Sequence, residues 1–480
     1  QDTSRHWQWV WLAEAWQLTA DAQYLDALFE QIRDFIRYVP IGRGGPWTCM
    51  MDTGIRAANW AILLDMIPES EWPSDVYSEF IDYYYAHGKV LIENLESWPI
   101  PAGHPMRRMK SAQPFIEPDG QLLQKTNHYV GDVFGLFFVG LIFRNTPEGA
   151  KWLQFAIDEL NREFVKQTNP DGMNFEASVN YHRFMTEYFL YYAVASKRNN
   201  IQLPPLILER LRASFIFLFT IITPSGRSPQ IGDTDNGRVT AFGRRETMNH
   251  LYLTSLGAAF FDDPDLRHPL AQWGREGEWV FGEQGDRMGR RQTTIPVSKC
   301  FDRSGIAVLR YSDNYALLSS APCGQMGAGG HSHCDKNAIE VHLDGEPLIV
   351  DPGMICYHPY PALRDLFRST RSHSTVMIDD CEMLPIDPVK PYFLEDTADA
   401  EIIDFSDVDE LKATGVHYGY STLESPVVHY RTIILNNGSL LINDRFKTDG
   451  RHSYSIRYIL DPYVSAHLHR DDGFTLIRST

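Results

Sequence analysis

Apolar positions recur at helical spacing through the first half of the chain. Leu25, Leu28, Phe29, Ile32, Phe35 and Ile36 fall on one helix face, because residues three and four apart stack on the same side of a 3.6-residue turn. Comparable segments cover about 7–19, 53–66, 76–95, 126–144, 148–166, 177–197, 203–222 and 245–260. Gly42-Arg43-Gly44-Gly45-Pro46 and Thr223-Pro224-Ser225-Gly226 punctuate them, since glycine and proline end regular structure. Helix after helix joined as hairpins predicts a bundle, a solenoid or a toroid, and periodicity leaves the three open.

From about residue 294 the period shortens to two. Asn337-Ala338-Ile339-Glu340-Val341-His342-Leu343 alternates and runs into the turn Asp344-Gly345. Thr432-Ile433-Ile434-Leu435 and Ser439-Leu440-Leu441-Ile442 flank Asn436-Asn437-Gly438 as a second hairpin, the pattern of antiparallel strands. The expected architecture is α+β and multidomain: a helical domain over 1–262, a linker over 263–293, and an antiparallel β-sandwich over 294–480. A strand-like segment, Phe474 to Ile477, stands so close to Thr480 that the sheet is expected to be truncated there.

Composition narrows the functions. With 480 residues, 43% of them hydrophobic, the chain can build more than one core. Acidic residues outnumber basic ones 62 to 44, for a net charge of −18, which argues against nucleic acid and anionic membranes as partners. A cleft can still oppose the global sign, and Arg107-Arg108-Met109-Lys110 is a candidate cluster, or equally a solvated basic turn. The longest apolar run, Val133 to Phe143, is too short to span a bilayer and reads as a buried helix. No signal peptide is visible, and residue 1 falls just ahead of a helix, as expected of a chain lacking its natural start. Six cysteines at 49, 300, 323, 334, 356 and 381 show neither C-x-x-C spacing nor a regular framework.

The densest chemistry lies in the second half. His331-Ser332-His333-Cys334-Asp335 is followed by Val350-Asp351-Pro352-Gly353 and by His373. Three imidazoles and a carboxylate on neighbouring strands suit a transition metal, proton transfer, a division of the two, or a hydrogen-bonded polar sheet. Matching groups open helical segments earlier: Thr126-Asn127-His128-Tyr129, and Glu176-Ala177-Ser178-Val179-Asn180-Tyr181-His182-Arg183. The loop Gly232-Asp233-Thr234-Asp235-Asn236-Gly237-Arg238 resembles a calcium loop only superficially, because the later glutamate is missing.

Taken in order, these pieces resemble the heparinase II/III-like polysaccharide lyases: Ile55-Arg56-Ala57-Ala58-Asn59-Trp60, Asn127-His128-Tyr129, Asn180-Tyr181-His182-Arg183, Gly232-Asp233, His331-x-His333-x-Asp335, Asp351-Pro352-Gly353, and Phe367-Arg368-Ser369-Thr370 running into His373. The resemblance spans most of the chain. It implies an incomplete (α/α) toroid before the sandwich, export to the periplasm or outside the cell, and β-elimination on a uronate polymer. Glycosaminoglycans come first as substrate, alginate-like and bacterial exopolysaccharides next.

That reaction removes the C5 proton beside a carboxylate and expels the glycosidic oxygen from C4. It needs a neutraliser for the developing charge, a base, and an acid for the leaving oxygen. The resemblance assigns Asn127 and His128 to the carboxylate and Tyr181 and His331 to proton transfer. Asn127 has a competing reading as a helix N-cap, and Tyr181 as a core tyrosine. A cation at His182 or Arg183 would lower the Tyr181 pKa. Arg56, Asn59, Trp60, Arg183, Tyr360 and Arg368 are candidate substrate contacts, with Tyr357 beside Tyr360 closing over the sugar; Trp60 is equally a core residue. His333, Asp351 and His373 are the expected Zn2+ ligands, with water as the fourth. Ser332 and Cys334 depart from the glycine and asparagine common in the family, and Cys334 is expected to point away from the metal.

Two other functions fit part of the pattern. Glu176 with Asp233 or Asp235 would serve a glycoside hydrolase. The same cleft could hold an anionic glycan without cutting it.

Overall fold

A computed structural model describes residues 2–478 except 109, 241, 243–244, 358–359 and 469–473. Its first half is two layers of helices. The inner layer holds α1 (Trp7–Thr19), α3 (Met50–Met66), α5 (Asn127–Ile142), α7 (Val179–Arg198) and α9 (Leu251–Phe261); the outer holds α2 (Gln23–Tyr38), α4 (Ser74–Glu93), α6 (Pro147–Gln167) and α8 (Pro205–Ile221). Each inner helix packs on the next inner one, and α2, α4, α6 and α8 follow in turn around them. That is the (α/α) toroid, incomplete and open on one side.

Sequence explains the layering. Outer helix α2 buries one stripe, Leu25, Leu28, Phe29 and Ile32. Inner helix α5 is buried nearly all round, from Tyr129 to Leu141, so the apolar run Val133–Phe143 is a core helix. No helix among the described residues is long and apolar enough to cross a membrane. The pair α3 and α5 packs backbone to backbone: a Cβ on Gly54 would overlap the Gly131 carbonyl, and one on Gly135 would overlap Gly54.

The segment 263–293 is structured. It carries α10 (Arg275–Phe281) and α11 (Glu283–Gly289), which pack on α9. Buried Glu276 accepts from Arg238 and from the Tyr191 hydroxyl, so the segment is tied to the toroid through charge.

The second half is a sandwich. Strands β3 (Lys299–Phe301), β4 (Ile306–Tyr311), β5 (Asn314–Ser319), β6 (Ala338–Leu343) and β7 (Glu346–Ile349) pair in that order, all antiparallel. They follow the small pair β1 (Trp98–Pro99) and β2 (Leu123–Gln124) at the toroid mouth. After β8 (Val376–Ile378), the strands β9 (Ala400–Ser406), β10 (Leu411–Tyr420), β11 (Val427–Asn436) and β12 (Ser439–Lys447) form the second sheet. Two outlying pairs complete the half: β13 (Tyr454–Ile456) joins β8, and β14 (Val464–Leu468) joins β15 (Phe474–Arg478).

The first sheet is buried on both faces. Ala307, Leu309, Ala316 and Leu318 meet Ala413, Ile433 and Leu435 of the second sheet. Their alternate neighbours Ile306, Val308, Tyr315 and Leu317 meet Met173, Val179, Phe217 and Ile221 of the toroid. Successive side chains of a strand point to opposite faces, so β4 and β5 read as continuous apolar runs because each joins two cores.

Candidate active site between toroid and sandwich

A cavity of about 470 Å3 opens where the inner helices face the sandwich, lined among others by Arg5, Trp98, Asn127, His128, Tyr181, Asp235, Gln325, His331, Tyr357 and Tyr392. All four expected catalytic residues line it. Helix capping sets two of the positions. Thr126 caps α5 by accepting from the His128 N–H, and Ser178 caps α7 by accepting from the Tyr181 N–H. Asn127, His128 and Tyr181 therefore sit in first turns at one end of the toroid. The N-cap reading of Asn127 fails, because Thr126 fills that position.

Asn127 donates from its backbone N–H to Glu176 Oε1 at 2.8 Å, and from Nδ2 to both Glu176 oxygens at 3.1 and 2.9 Å. Its own Oδ1 is buried without a hydrogen-bond partner. Glu176 is fully buried and is presented by Ala177 at φ 54°, a left-handed conformation uncommon for a residue with a Cβ. Gly324 permits the approach of the loop before His331, since a Cβ there would overlap the Glu176 backbone.

His331 Nδ1 donates to Asp233 Oδ2 at 3.0 Å, and its Nε2 stands 3.5 Å from Glu176 Oε2. A proton held on Nδ1 against Asp233 directs Nε2 towards Glu176 and the cavity. The ring stacks on Tyr181, with centroids 3.6 Å apart and planes 15° apart. The Tyr181 hydroxyl shares a 2.8 Å hydrogen bond with Tyr357.

Burial, with Asp235, Asp233 and Glu176 nearby, pushes the Tyr181 phenol well above its ordinary pKa. The expected cation is absent from its side. His182 turns away, accepting from Asn174 N and donating to Ser214 O, and Arg183 bonds the carbonyls of Gly237 and Asp235. His128 differs. Burial works against its charge, but hydrogen bonds with Cys49 and Glu96 outweigh that and hold it well above the usual imidazole range. Its Nδ1 donates to Glu96 Oε2 at 2.5 Å.

Asp233 is the hub. Burial penalises its charge, but His331, His333 and Arg364 overcome this and hold its carboxyl well below the usual range. Arg364, on α12 (Pro361–Arg368), clamps both oxygens at 2.9 Å, and His333 Nε2 donates to Oδ1 at 3.0 Å. Sealed and fully engaged, Asp233 and Glu176 cannot serve as the exchanging pair of a hydrolase.

Several expected substrate contacts are elsewhere. Arg56, Asn59 and Trp60 are in the toroid core at 0%, 1% and 0% exposure. Arg56 bonds His87 and the carbonyls of Ser4 and Pro46, Asn59 bonds the carbonyls of Arg5 and Val239, and Trp60 donates to His6. Helical spacing put them on one face, and that face points inward. Arg183 and Arg368 are also buried, Arg368 against Asp365 and the Pro391 carbonyl. Tyr360 is exposed but does not line the cavity, whereas Tyr357 does. Of the basic run, Arg107 is occupied by the carbonyls of Ile100, Pro101 and Gly120; Met109 and the side chains of Arg108 and Lys110 lie outside the described residues.

The histidine cluster behind Asp233 has free ligand atoms. His333 Nδ1 and His373 Nε2 are both buried without a partner. One ligand atom each from His333, Asp335 and His373 lie within 4.8 Å of one another. Asp351 instead accepts from His373 Nδ1 at 2.6 Å, on the other side of that ring. Asp335 thus shares the space with the two free nitrogens, and Asp351 orients a histidine. Cys334 faces away, towards the Leu384 carbonyl.

Sequence reasoning missed Glu96, Trp98, Gln325 and Tyr392. Trp98, Gln325 and Tyr392 come from short segments with no motif of their own and are distinguished only by convergence at the cavity, and Glu96 only by its bond to His128.

A helical toroid joined to a β-sandwich, with histidine, tyrosine and asparagine converging between them, defines a class of two-domain proteins with an interdomain cleft. Within it, this chain belongs to the heparinase II/III-like family: the model for the heparinase II/III N-terminus matches residues 115–259, and that for the heparinase II/III-like C-terminal part matches 294–480. A heparin-sulfate lyase of Pedobacter heparinus is 25% identical over 276 residues, 54% of this chain and 37% of that protein. A heparin-sulfate lyase of Bacteroides stercoris is 23% identical over 269 residues, 53% of this chain and 36% of its own length. The chain thus spans little more than a third of these curated relatives. A solved heparinase III superposes with a TM-score of 0.71 at 16% identity, covering 98% of this chain and 67% of that one. A mutant heparan sulfate lyase HepC from Pedobacter heparinus gives 0.67 at 19% identity, covering 98% and 65%.

Proposed function

We propose that this protein is a polysaccharide lyase that cleaves a uronic-acid-containing glycan, a glycosaminoglycan first, by β-elimination. The observation that carries the reading is the stack of Tyr181 on His331 in one cavity with Asn127 and His128. Heparin-sulfate lyases among its relatives support the substrate class.

In this reading His128 and Asn127 meet the substrate carboxylate. His128 brings a positive charge opposite Glu96. The two Nδ2 contacts of Asn127 to Glu176 can be spanned by one N–H, which leaves the other for substrate. His331 Nε2 takes the C5 proton. Tyr181, kept protonated by burial, gives its proton to the leaving oxygen, and Tyr357 hydrogen-bonds the phenolate that remains. Preorganised donors of this kind act where charge develops and lower the barrier without reorganising.

The Zn2+ implied by the family resemblance fits the histidine cluster, because two buried imidazole nitrogens there lack partners. His333, His373 and Asp335 would hold it, with Asp351 orienting His373 and Asp233 orienting His333. When bound it would supply a fixed charge beside the Asp233 hub, in support of His331 and apart from the proton transfers. Action outside the cytoplasm follows from the same family reading.

The test is ultraviolet absorbance over time with heparan sulfate, heparin, chondroitin sulfates, dermatan sulfate, hyaluronan and alginate. β-Elimination leaves a conjugated, absorbing uronate. The expected result is a rise with wild type and a loss of at least about a hundredfold in Tyr181→Phe, the lower end of what a general acid contributes. New reducing ends without absorbance would make the protein a hydrolase and defeat the reading.

A further inference from the structure

The proton on His128 Nδ1 lies between two further metal-ligand types. Cys49 Sγ is 3.8 Å from that nitrogen and Glu96 Oε2 is 2.5 Å from it. Sulfur, nitrogen and carboxylate oxygen all fall within 4.8 Å of one another. All three residues are half-buried, and His128 lines the cavity, so solvent has a path in. We propose that Cys49, Glu96 and His128 form a binding site for one thiophilic divalent cation of the zinc class, separate from the His333–His373 cluster.

The geometry fits tetrahedral coordination. Metal–sulfur bonds of about 2.3 Å and metal–nitrogen or metal–oxygen bonds of about 2.0 Å put sulfur and nitrogen about 3.6 Å apart, close to the separation present. The nitrogen–oxygen gap must widen by somewhat less than about 1 Å. Glu96 has a fixed base for that movement, because its other oxygen accepts the Met50 N–H and its own N–H is held by Asp132 Oδ2. Asp132 Oδ1, one helical turn below His128, is buried without a partner, which adds an oxygen-rich environment behind the site. Water fills the fourth position from the cavity.

The charges balance. Without metal, His128 holds its Nδ1 proton against Glu96. Binding one dication expels one proton from the Cys49 thiol and one from His128 Nδ1, so the net charge of the set is unchanged and two protons reach solvent. The metal takes the place of the proton, and His128 Nε2–H still faces the cavity.

Cadmium is the probe, because a thiolate bound to Cd2+ gives a charge-transfer band in the ultraviolet that histidine and carboxylate ligands do not. Purified full-length chain, stripped with chelator, is titrated with Cd2+ alone and the absorbance and proton release are followed. The expected result is a band that saturates at one equivalent in the His373→Ala variant, where the second cluster is disabled, survives Cys356→Ser and Cys381→Ser, and disappears in Cys49→Ser. Glu96→Gln, which keeps the side-chain shape, weakens the titration, and Zn2+ competes the band away. No band in wild type, or an undiminished band in Cys49→Ser, overturns the proposal. The readout is binding, so it stands or falls apart from the lyase reading: a Cys49-dependent band in a protein without lyase activity would keep the site and remove only that function.

Discussion

Asp233 answers to three side chains at once: His331, His333 and a two-pronged Arg364. Each oxygen is spoken for, and both Asp233 and Arg364 are buried. Removing one member of a buried ion pair costs about 3–5 kcal/mol, because the other charge is left without compensation. Asp233→Ala is therefore expected to lower the thermal midpoint and, under the proposed lyase reading, to reduce the rate of unsaturated-product formation, since His331 loses the acceptor that fixes its tautomer. A normal midpoint with normal turnover would show that the hub neither holds the fold nor orients the base. At this scale the sequence was informative about identity but not about role. Asn127, His128, Tyr181 and His331 converge as their motifs implied, while Glu176 and Asp233, read with Asp235 as candidates for a hydrolytic pair, are sealed supports. Burial separates the two, and burial is set by neighbours distant in the chain.

At the scale of elements, the site depends on how closely α3 and α5 approach. Gly54 faces Gly131 and Gly135 with no room for a Cβ, and α5 carries Asn127 and His128 in its first turn. Gly54→Val is expected to push the helices apart, at a cost above the ordinary overpacking range of about 1–3 kcal/mol, because backbone rather than a movable side chain blocks the space. Differential scanning calorimetry would read this as a lower midpoint, accompanied by loss of cleavage because the α5 terminus shifts. An unchanged midpoint would mean that the pair can relax elsewhere. The same helices show why Arg56, Asn59 and Trp60 are misleading in sequence. Their spacing places them on one face of α3, but spacing does not say whether a face looks to solvent or to the core. In an inner helix of a toroid nearly every face is covered.

The whole molecule is joined through the first sheet. Phe301, Ile306, Val308, Tyr315 and Leu317 share a core with Met173, Val179, Phe217 and Ile221. Hydrogen bonds reinforce it: Arg310 and Tyr315 reach the carbonyls of Thr220, Ile222 and Ile221, and Asp171 accepts from Ser304. Phe301 is fully buried and stands edge-on to Phe217, with ring centroids 4.8 Å apart. Phe301→Ala should cost about 3–5 kcal/mol and loosen both halves together. The check is one lowered melting transition with reduced turnover; a toroid transition left in place while the sandwich melts alone would show that the halves are energetically separate.

The sequence by itself determined most of the element types and their order, though not the two helices inside 263–293, together with the change of period near residue 294 and the family, because periodicity and motif order are local or linear properties of a chain. It also determined which residue types would meet at the site. Only the tertiary structure decided which of them face the cavity. It placed Asp335 rather than Asp351 beside the free nitrogens of His333 and His373, and it brought Cys49 and Glu96 to the back of His128. Those arrangements join residues up to 40 and 79 positions apart. Their physical cause is tertiary packing, within the helical half for Cys49, Glu96 and His128 and within the sandwich half for His333, Asp335 and His373, which no local pattern encodes.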